Sequence, residues 1–153
     1  MMRDAPREWS REEYVVSTDR ARINFDVVHE YLSRSYWAAG MPRDLLERAI
    51  ENSLTFGVYR DTSQAGFARV ITDCATYAYL SDVFILEQHR GRGLSKWLME
   101  CILAHPDLQG LRRFALFTPD ASGLYQRYGF EPARSPSVYL ERWTPNVYTS
   151  LGS

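Results

Sequence analysis

Apolar and polar residues follow strand-like and then helix-like periods along the first third of the chain. Residues 14–18 have the β-branched and aromatic composition of a strand. Between residues 26 and 37, apolar side chains recur at positions 27, 28, 31 and 32, which is the spacing of one helix face. Either Asn24 or Asp26 can cap this helix, and residues 43–52 show a second helix face. We therefore expect a strand followed by two helices.

Strands dominate the middle of the chain. Residues 54–59 and 65–72 flank a short polar segment and predict a hairpin with a loop of four or five residues. Residues 76–86 form the next strand, and apolar side chains then recur at positions 94, 97, 98, 101 and 102, the stripe of a core-facing helix. The remaining predicted elements are a strand at 112–118, a short helix at 121–128 with Gly129 as its left-handed cap, and a last strand near 137–141.

Composition places the chain among globular domains. With 153 residues, of which 45% are hydrophobic and 24% charged, it is long enough for one domain with a core. We expect residues 1–12 to form a loosely packed arm and residues 13–153 to form the domain. No apolar run is long enough to cross a bilayer, and the polar N-terminus lacks the apolar part of a signal peptide. We therefore expect a soluble, cytoplasmic protein with no membrane partner.

Charge and residue types narrow the function further. The formal net charge of -1 argues against a nucleic-acid partner, because such proteins usually carry an excess of basic residues. The two cysteines, Cys74 and Cys101, are predicted to be reduced thiols. The histidines at positions 29, 89 and 105 show no metal-ligand spacing, so we predict no metal site.

One segment has the chemistry of an anion site. Residues 88–96, with the sequence QHRGRGLSK, lie between a predicted strand and a predicted helix. The first amides of a helix have no partner within it, and the helix dipole adds positive charge there, so this segment predicts a phosphate site. The spacing of nucleoside-triphosphate loops is absent. The dinucleotide fingerprint also fails, because Ser95 and Lys96 follow the two glycines where a third glycine is needed.

Two motifs carry a family resemblance. The segment from Gln88 to Gly93 resembles the Gln/Arg-x-x-Gly-x-Gly/Ala signature of the GCN5-related N-acetyltransferases, the GNAT superfamily. Further along, a strand and the segment from Asp120 to Phe130 resemble the late strand and short helix of that family, which end in Tyr-x-x-x-Gly-Phe. The resemblance implies an α/β GNAT fold, with a mixed, mostly antiparallel sheet, helices on both faces and splayed central strands. It also implies that acetyl-coenzyme A (acetyl-CoA) lies in the gap between those strands.

The resemblance further implies which residues contact the coenzyme. Main-chain amides of the loop hold its pyrophosphate, and the backbone of the preceding strand pairs with its pantetheine arm. Asp120 stands near a position where the family often has Asn, and it either contacts the coenzyme or caps the short helix that follows. The implied contacts are Val83, Phe84, Ile85, Gln88, His89, Arg90, Gly91, Arg92, Gly93, Leu94, Ser95, Lys96 and Asp120.

Acetyl transfer to an amine needs an acid for the leaving thiolate and a route for the amine proton. The family motif places Tyr125 beside the sulfur as general acid, and the alternative is an aromatic residue of the core. Asp82 is the candidate base, because a carboxylate within an apolar strand needs a role or a partner; its alternative is a structural acceptor that ties down a loop. If the opposite strand face lines the cleft, Tyr79 and Ser81 replace Asp82, and water can also take the proton.

By the same resemblance, the acceptor amine binds beside the first two helices. Its predicted contacts are Ser35 and aromatic residues that can hold an ammonium group, although the aromatic residues can equally pack in the core or form a dimer surface. We predict an acetyl-CoA-dependent N-acetyltransferase that acts on a primary amine of a small molecule or protein by direct attack, and a homodimer by family habit. The alternatives are a non-catalytic acyl-CoA-binding sensor and an interaction domain with this fold. The predicted acceptor contacts are Tyr31, Ser35, Tyr36, Trp37 and Tyr79.

Overall fold

The backbone is organised around one six-stranded mixed sheet. The computed structural model describes residues 5–151. The strands lie side by side in chain order, and neighbours are antiparallel except for the last pair, which is parallel. The elements are β1 (Glu8–Arg11), β2 (Tyr14–Ser17), α1 (Phe25–Ser33), α2 (Arg43–Glu51), β3 (Leu54–Arg60), β4 (Ser63–Thr72), β5 (Tyr77–Ile85), α3 (Leu94–Ala104), β6 (Arg113–Leu116), α4 (Ser122–Gln126) and α5 (Val147–Leu151).

Helices cover both faces of the sheet. Successive strand residues point to opposite sides, so one strand can pack against helices on both faces. On β4, Phe67 belongs to a buried cluster with residues of α1 and α2, whereas its neighbour Ala68 belongs to the cluster formed with α3. Both side chains are fully buried. The predicted α/β fold, a mostly antiparallel mixed sheet with helices on both faces, is therefore confirmed.

The last two strands of the sheet separate part-way along their length. The parallel pairing of β5 and β6 ends at Leu80 and Leu116, after which β5 continues to Ile85. The register between β4 and β5 shifts over the same stretch, and Asp82 has a left-handed φ of 56° there. Such a bulge bends a strand and redirects its side chains. A gap between β5 and the edge strand β6 therefore opens beyond Leu80, so the splayed strands lie at the side of this sheet and not at its centre.

The first described residues belong to the sheet. Glu8–Arg11 forms the edge strand β1, which pairs with β2, so the loosely packed arm expected at residues 1–12 is wrong for this segment. Three of its four residues are exposed, and no alternation of apolar residues marks the strand in the sequence. Trp9 makes its inward contact, with its ring centre 6.2 Å from that of Phe56. Residues 1–4 lie outside the described residues.

Two predicted elements end at different places. The first helix covers Phe25–Ser33 instead of residues 26–37. Its capping residue is Asn24, whose side chain accepts a hydrogen bond from the backbone amide of Val27. The hairpin between β3 and β4 closes with a shorter loop than predicted, since β3 ends at Arg60 and β4 begins at Ser63. Neither difference changes the order of the elements.

The strand predicted at residues 137–141 is wrong. Pro136–Val138 forms a 3₁₀ turn, and the residues that follow have no strand structure. Proline has no N–H to donate to a strand ladder, which disfavours a strand at this point. Val138 and Leu140 are 76% and 89% exposed, so the apolar residues of this segment do not pack as those of a core strand would.

Three kinds of feature are absent from residues 5–151. No helix there has the length and apolar character needed to cross a membrane. No group of three or more His, Cys, Asp or Glu side chains is placed to hold a metal ion. Neither cysteine forms a disulfide, and burial raises the pKa of the Cys101 thiol to about 12, so this side chain stays protonated in the core.

Gly66 provides a test of the packing between β4 and the bulged end of β5. A Cβ at this position would lie 2.8 Å from the carbonyl oxygen of Phe84 and 2.7 Å from Cδ1 of Ile85. Because the backbone would have to move, we expect Gly66→Ala to lower the free energy of unfolding by about 1–3 kcal/mol in urea denaturation. Gly123→Ala is the control, since the added methyl group meets no atom within 4 Å. Equal unfolding midpoints for Gly66→Ala and the unsubstituted protein would contradict this close approach.

Candidate functional site

The loop between β5 and α3 presents unpaired backbone amides. Gly91 and Gly93 have left-handed φ values of 80° and 74°, which glycine adopts without steric cost, and Gly93 is the N-terminal cap of α3. The first backbone bond at this helix end runs from Trp97 N to Gly93 O, at 3.1 Å. Among the described residues, the amides from Gly91 to Lys96 donate to no protein group. These six N–H groups lie at the positive end of the α3 dipole.

A cavity of about 280 Å³ lies against this loop. It is bordered by the loop, by the end of β5 at Ile85 and by Leu124 of α4. A slightly larger cavity of about 310 Å³ lies beyond the other end of α3, near Thr55 and His105, and includes none of the predicted site residues. We place the candidate site at the smaller cavity, because that is where the unpaired amides are. Its loop residues are His89, Arg90, Gly91, Gly93, Leu94, Ser95 and Lys96.

Two predicted cofactor contacts of the loop turn their side chains toward the protein. The His89 ring is buried, and its Nδ1 is hydrogen bonded to the Tyr14 hydroxyl at 2.9 Å. Burial, followed by the nearby arginine charges, lowers the pKa of His89. Arg90 donates from Nε to the carbonyl oxygen of Ile85 at 2.9 Å and from Nη2 to the Tyr31 hydroxyl at 3.0 Å. The backbone amides of these two residues are also paired, with Leu86 O at 2.9 Å and with Glu87 O at 3.2 Å, so the unpaired amides of the loop begin at Gly91.

The other loop side chains differ in their access to the cavity. Leu94 is buried, Ser95 is half-buried, and Lys96 is exposed at the edge of the cavity. Arg92 forms an ion pair with Glu13 at 3.6 Å. Gln88 is exposed but does not border the cavity. Lys96 is thus the loop cation placed best for an anionic ligand.

The β5 segment offers its backbone. Beyond Leu80 the edge of β5 that faces β6 has no strand partner among the described residues. The Phe84 ring is buried and stacks on Tyr31, with 4.0 Å between ring centres, and Val83 is half-buried. Ile85 is buried at the border of the cavity. An extended ligand in the gap would meet the unpaired edge of β5 beyond Leu80, with Ile85 at the border of the cavity.

Asp82 is a buried residue whose two carboxylate oxygens both have protein partners. Arg69 donates from Nε to Oδ2 at 2.8 Å, and Trp37 donates from Nε1 to Oδ1 at 2.9 Å. The Asp82 side chain is 4% exposed and that of Arg69 is 12% exposed, so this is a buried ion pair. The geometry favours the alternative role for Asp82, a structural acceptor, because it ties the loop after α1 to the sheet.

Tyr125 lies on α4, next to Leu124, and does not itself border the cavity. Burial raises the pKa of its hydroxyl, and the nearby Asp120 carboxylate raises it further. The side chain packs against Phe130, with 6.1 Å between ring centres, and its hydroxyl donates to no described residue. The neighbouring Tyr128 has a different role: its hydroxyl reaches Lys96 O and Glu100, and so ties α4 to α3. Tyr125 therefore keeps its proton at neutral pH and has a hydroxyl with no protein acceptor.

Asp120 does not cap α4. The N-terminal cap of this helix is Ala121, without a side-chain cap, and the Ala121 amide donates to the Thr118 hydroxyl at 3.0 Å. Asp120 is exposed, and its charge acts on Tyr125. The capping alternative for Asp120 is therefore wrong, and the coenzyme contact stays a prediction.

The predicted acceptor contacts divide into engaged and open side chains. Tyr31 stacks on Phe84 and accepts from Arg90, and the Ser35 hydroxyl donates to Leu32 O and accepts from Ala38 N. These two side chains hold the protein together. Tyr36 and Trp37, by contrast, are 70% and 40% exposed.

Tyr79 is the third open aromatic residue on the acceptor side. It is half-buried on β5, paired in register with Ala115 of β6. Burial, with contributions from the Tyr77, Asp82 and Glu141 charges, raises the pKa of its hydroxyl. Tyr79 lies where β5 is still paired with β6, one residue before the end of that pairing.

Three residues of the site region could not be found from the sequence. Arg69 comes from β4, Arg11 comes from β1 and donates to Arg92 O, and Leu124 lines the cavity from α4. Each meets the site through strand or helix packing across the fold, and no local motif marks it. The only sequence signal was for Leu124, which precedes the predicted Tyr125 in the family motif.

Comparison with known sequences agrees with the motifs. A domain family described as "Acetyltransferase (GNAT) domain" matches residues 51–132. FG08082, a candidate acetyltransferase of Gibberella zeae, is 36% identical over 143 residues, which cover 78% of this chain and 80% of that protein. The matched range includes the loop between β5 and α3, and it includes α3 and α4.

Comparison with solved structures agrees as well. The candidate GNAT acetyltransferase xcc2953 of Xanthomonas campestris pv. campestris is 52% identical, with a TM-score of 0.87 over 89% of this chain and 96% of that chain. A GNAT family acetyltransferase of Elizabethkingia anophelis, solved with acetyl-CoA bound, is 13% identical, with a TM-score of 0.61 over 88% of this chain and 90% of that chain, and at this identity shares the fold. With its sheet, its loop and these relatives, the chain belongs to the GNAT acetyltransferase family.

Proposed function

We propose that this protein is an acetyl-CoA-dependent N-acetyltransferase that acetylates a primary amine of a small molecule or protein by direct attack. The observation that carries the proposal is the row of unpaired amides from Gly91 to Lys96 beside a cavity of about 280 Å³. A diphosphate has oxygens that accept bonds from several amides at once and complements the positive end of a helix. The acetyl-CoA bound to the Elizabethkingia anophelis relative supports the identity of the ligand.

The loop fits a diphosphate through its main chain. A Cβ at Gly91 would meet no protein atom within 4 Å, so the chain leaves open space beside this glycine. The left-handed conformations of Gly91 and Gly93 bring successive N–H groups toward one side, as in the nests that bind anions. Lys96, exposed at the edge of the cavity, adds a positive charge.

The gap beyond Leu80 accommodates the extended arm of the coenzyme. Its amides can pair with the free edge of β5 at residues 83–85, much as an added strand would. When bound, acetyl-CoA supplies an activated thioester. A main-chain N–H of β5 aimed at the thioester carbonyl stabilises the charge that develops there, an effect worth about 100- to 1000-fold in other enzymes.

Tyr125 is the proposed general acid. Its pKa is raised by burial, so the hydroxyl holds its proton at neutral pH and can donate it to the departing sulfur. Tyr128 fixes α4 on α3 and so positions the neighbouring Tyr125.

The amine proton is proposed to leave through water. Both oxygens of Asp82 already accept bonds from Arg69 and Trp37, so this carboxylate serves as a positioning residue. It holds the Trp37 ring next to Tyr36. These open aromatic rings, together with Tyr79, are proposed to bind the acceptor.

Gly91 tests the phosphate site. Gly91→Val places a branched side chain at a φ of 80°, which costs about 1–2 kcal/mol of strain and fills the space beside the amides. Together with one lost amide contact, we expect CoA to bind about 30- to 100-fold more weakly in isothermal titration calorimetry. Gly110→Val is the matched control, because Gly110 also has a left-handed φ, of 70°, and open space around it. Equal CoA affinity in the two variants would contradict the site.

Tyr125 tests the chemistry separately from binding. We expect Tyr125→Phe to lower kcat by about 100- to 10,000-fold, the range for a general acid, with an unchanged Kd for CoA. Free-thiol release with an amine library measures the rate. Tyr139→Phe removes the hydroxyl of another tyrosine, one that is 68% exposed, and should leave kcat unchanged. A wild-type protein that binds CoA but releases no thiol with any amine would be a non-catalytic acyl-CoA sensor.

Asp82 and Trp37 distinguish positioning from base catalysis. Asp82→Asn leaves the buried Arg69 guanidinium without its counter-charge, so we expect a loss of about 3–5 kcal/mol in unfolding free energy. If water takes the amine proton, the rise of kcat/KM with increasing pH, which is the ascending limb of the profile, should persist in Asp82→Asn. Trp37→Phe keeps the carboxylate and removes only its indole donor. It should raise the acceptor KM while kcat stays within about twofold. Disappearance of the ascending limb in Asp82→Asn would make Asp82 the base.

A further inference from the structure

We propose that Arg11 is a positioning residue that aims the Gly93 amide at the diphosphate of the coenzyme. The inference rests on the proposed use of acetyl-CoA. It assigns a role in cofactor binding to β1, the edge strand that lies far from the loop in sequence. Arg11 is the last residue of this strand.

The Arg11 guanidinium lies behind the phosphate loop. Its Nη2 donates to the carbonyl oxygen of Arg92 at 3.0 Å. The same nitrogen is 3.3 Å from the position that a Cβ at Gly93 would occupy. The guanidinium also lies over the ring of Trp97, 5.2 Å from its centre, and Trp97 is buried in the first turns of α3. Arg11 thus contacts both the loop and the helix that the loop begins.

The bond to Arg92 fixes the direction of the next amide. In a trans peptide the C=O and N–H groups point to opposite sides of the chain, and no described peptide bond is cis. Because Arg11 holds the Arg92 carbonyl from one side, the Gly93 N–H must point to the other. Gly93 borders the cavity, so the side away from Arg11 is the ligand side. A charge-assisted bond to the carbonyl also polarises this peptide group, which strengthens its N–H as a donor.

A second contact ties Arg92 to the hairpin of β1 and β2. Arg92 Nη1 lies 3.6 Å from Oε1 of Glu13, which is in the turn between β1 and β2, where Glu12 has a left-handed φ of 55°. The hairpin is anchored in turn by Trp9, which packs on Phe56. The carbonyl and the side chain of Arg92 are both held by a strand pair that is fixed to the core, so the loop keeps its shape without a ligand.

Arg11 and Arg90 hold the loop from two directions. Arg90 donates to Ile85 O at the end of β5 and to the Tyr31 hydroxyl of α1. Arg11 reaches across from β1 to the residue between the two glycines. Glycine-rich segments have many accessible conformations, and restricting them before binding reduces the entropy that the ligand must overcome. The effect of Arg11 should therefore be seen in cofactor affinity and not in the chemical step.

The test compares three variants in the full chain. We expect Arg11→Gln to weaken CoA binding by about five- to tenfold in isothermal titration calorimetry, as for the loss of one exposed charge-assisted bond. The KM for acetyl-CoA should rise in parallel while kcat at saturation stays within about twofold. Arg11→Lys keeps a charged donor and should recover at least half of the lost affinity on a logarithmic scale. Arg7→Gln removes an exposed arginine from the same N-terminal segment and should change nothing.

Amide spectra separate positioning from general stability. In nuclear magnetic resonance spectra of the unliganded protein, Arg11→Gln should shift the Gly93 amide signal, and the melting temperature should stay close to that of Arg7→Gln. If the unsubstituted protein binds CoA and Arg11→Gln binds it as tightly as Arg7→Gln, the role of Arg11 is refuted. If the unsubstituted protein does not bind CoA, the proposed function itself fails.

Discussion

The unpaired main-chain amides at the start of α3 are the constraint on which the site depends. Buried or ordered backbone donors in proteins nearly always have partners, and a helix start is the place where they cannot have intrahelical ones. The structure leaves six such groups, from Gly91 to Lys96, beside an open cavity. The two left-handed glycines direct the chain so that these groups converge. The parting of β5 and β6 beyond Leu80 then provides the space into which a ligand held by the amides can extend.

The buried pair of Asp82 and Arg69 organises the acceptor side in a similar way. Removing two charges from water is costly, and the cost is offset here by close contact and by the indole donor of Trp37. The pair lies where the β4–β5 register shifts. The Asp82 carboxylate therefore stands at the distortion of the strand and, through Trp37, also holds the loop after α1. The result is a firmly held carboxylate beside exposed aromatic residues. In the proposed function, this arrangement positions the acceptor, and the amine proton leaves through water.

The parts of the site that could be predicted were those encoded locally. The string QHRGRGLSK followed by apolar residues at helical spacing placed the loop and α3, and the later motif placed α4 and Tyr125. Contacts between distant segments could not be predicted. The partners of Asp82 come from two other elements, and β1 has a single inward residue, Trp9, so its sequence carries no strand pattern. The strand expected at residues 137–141 shows the reverse case, where apolar residues lie in exposed chain without strand structure.

The most direct test of this account is an amide-resolved titration of the isotopically labelled protein with coenzyme A. We predict that the amide protons of residues 91–95 move downfield, as they do on donating strong hydrogen bonds, and become protected from exchange with solvent. We also predict that pantetheine, which lacks the diphosphate, leaves these signals in place. Saturable binding of coenzyme A with no change at residues 91–95, or with protection confined to another part of the chain, would contradict this prediction.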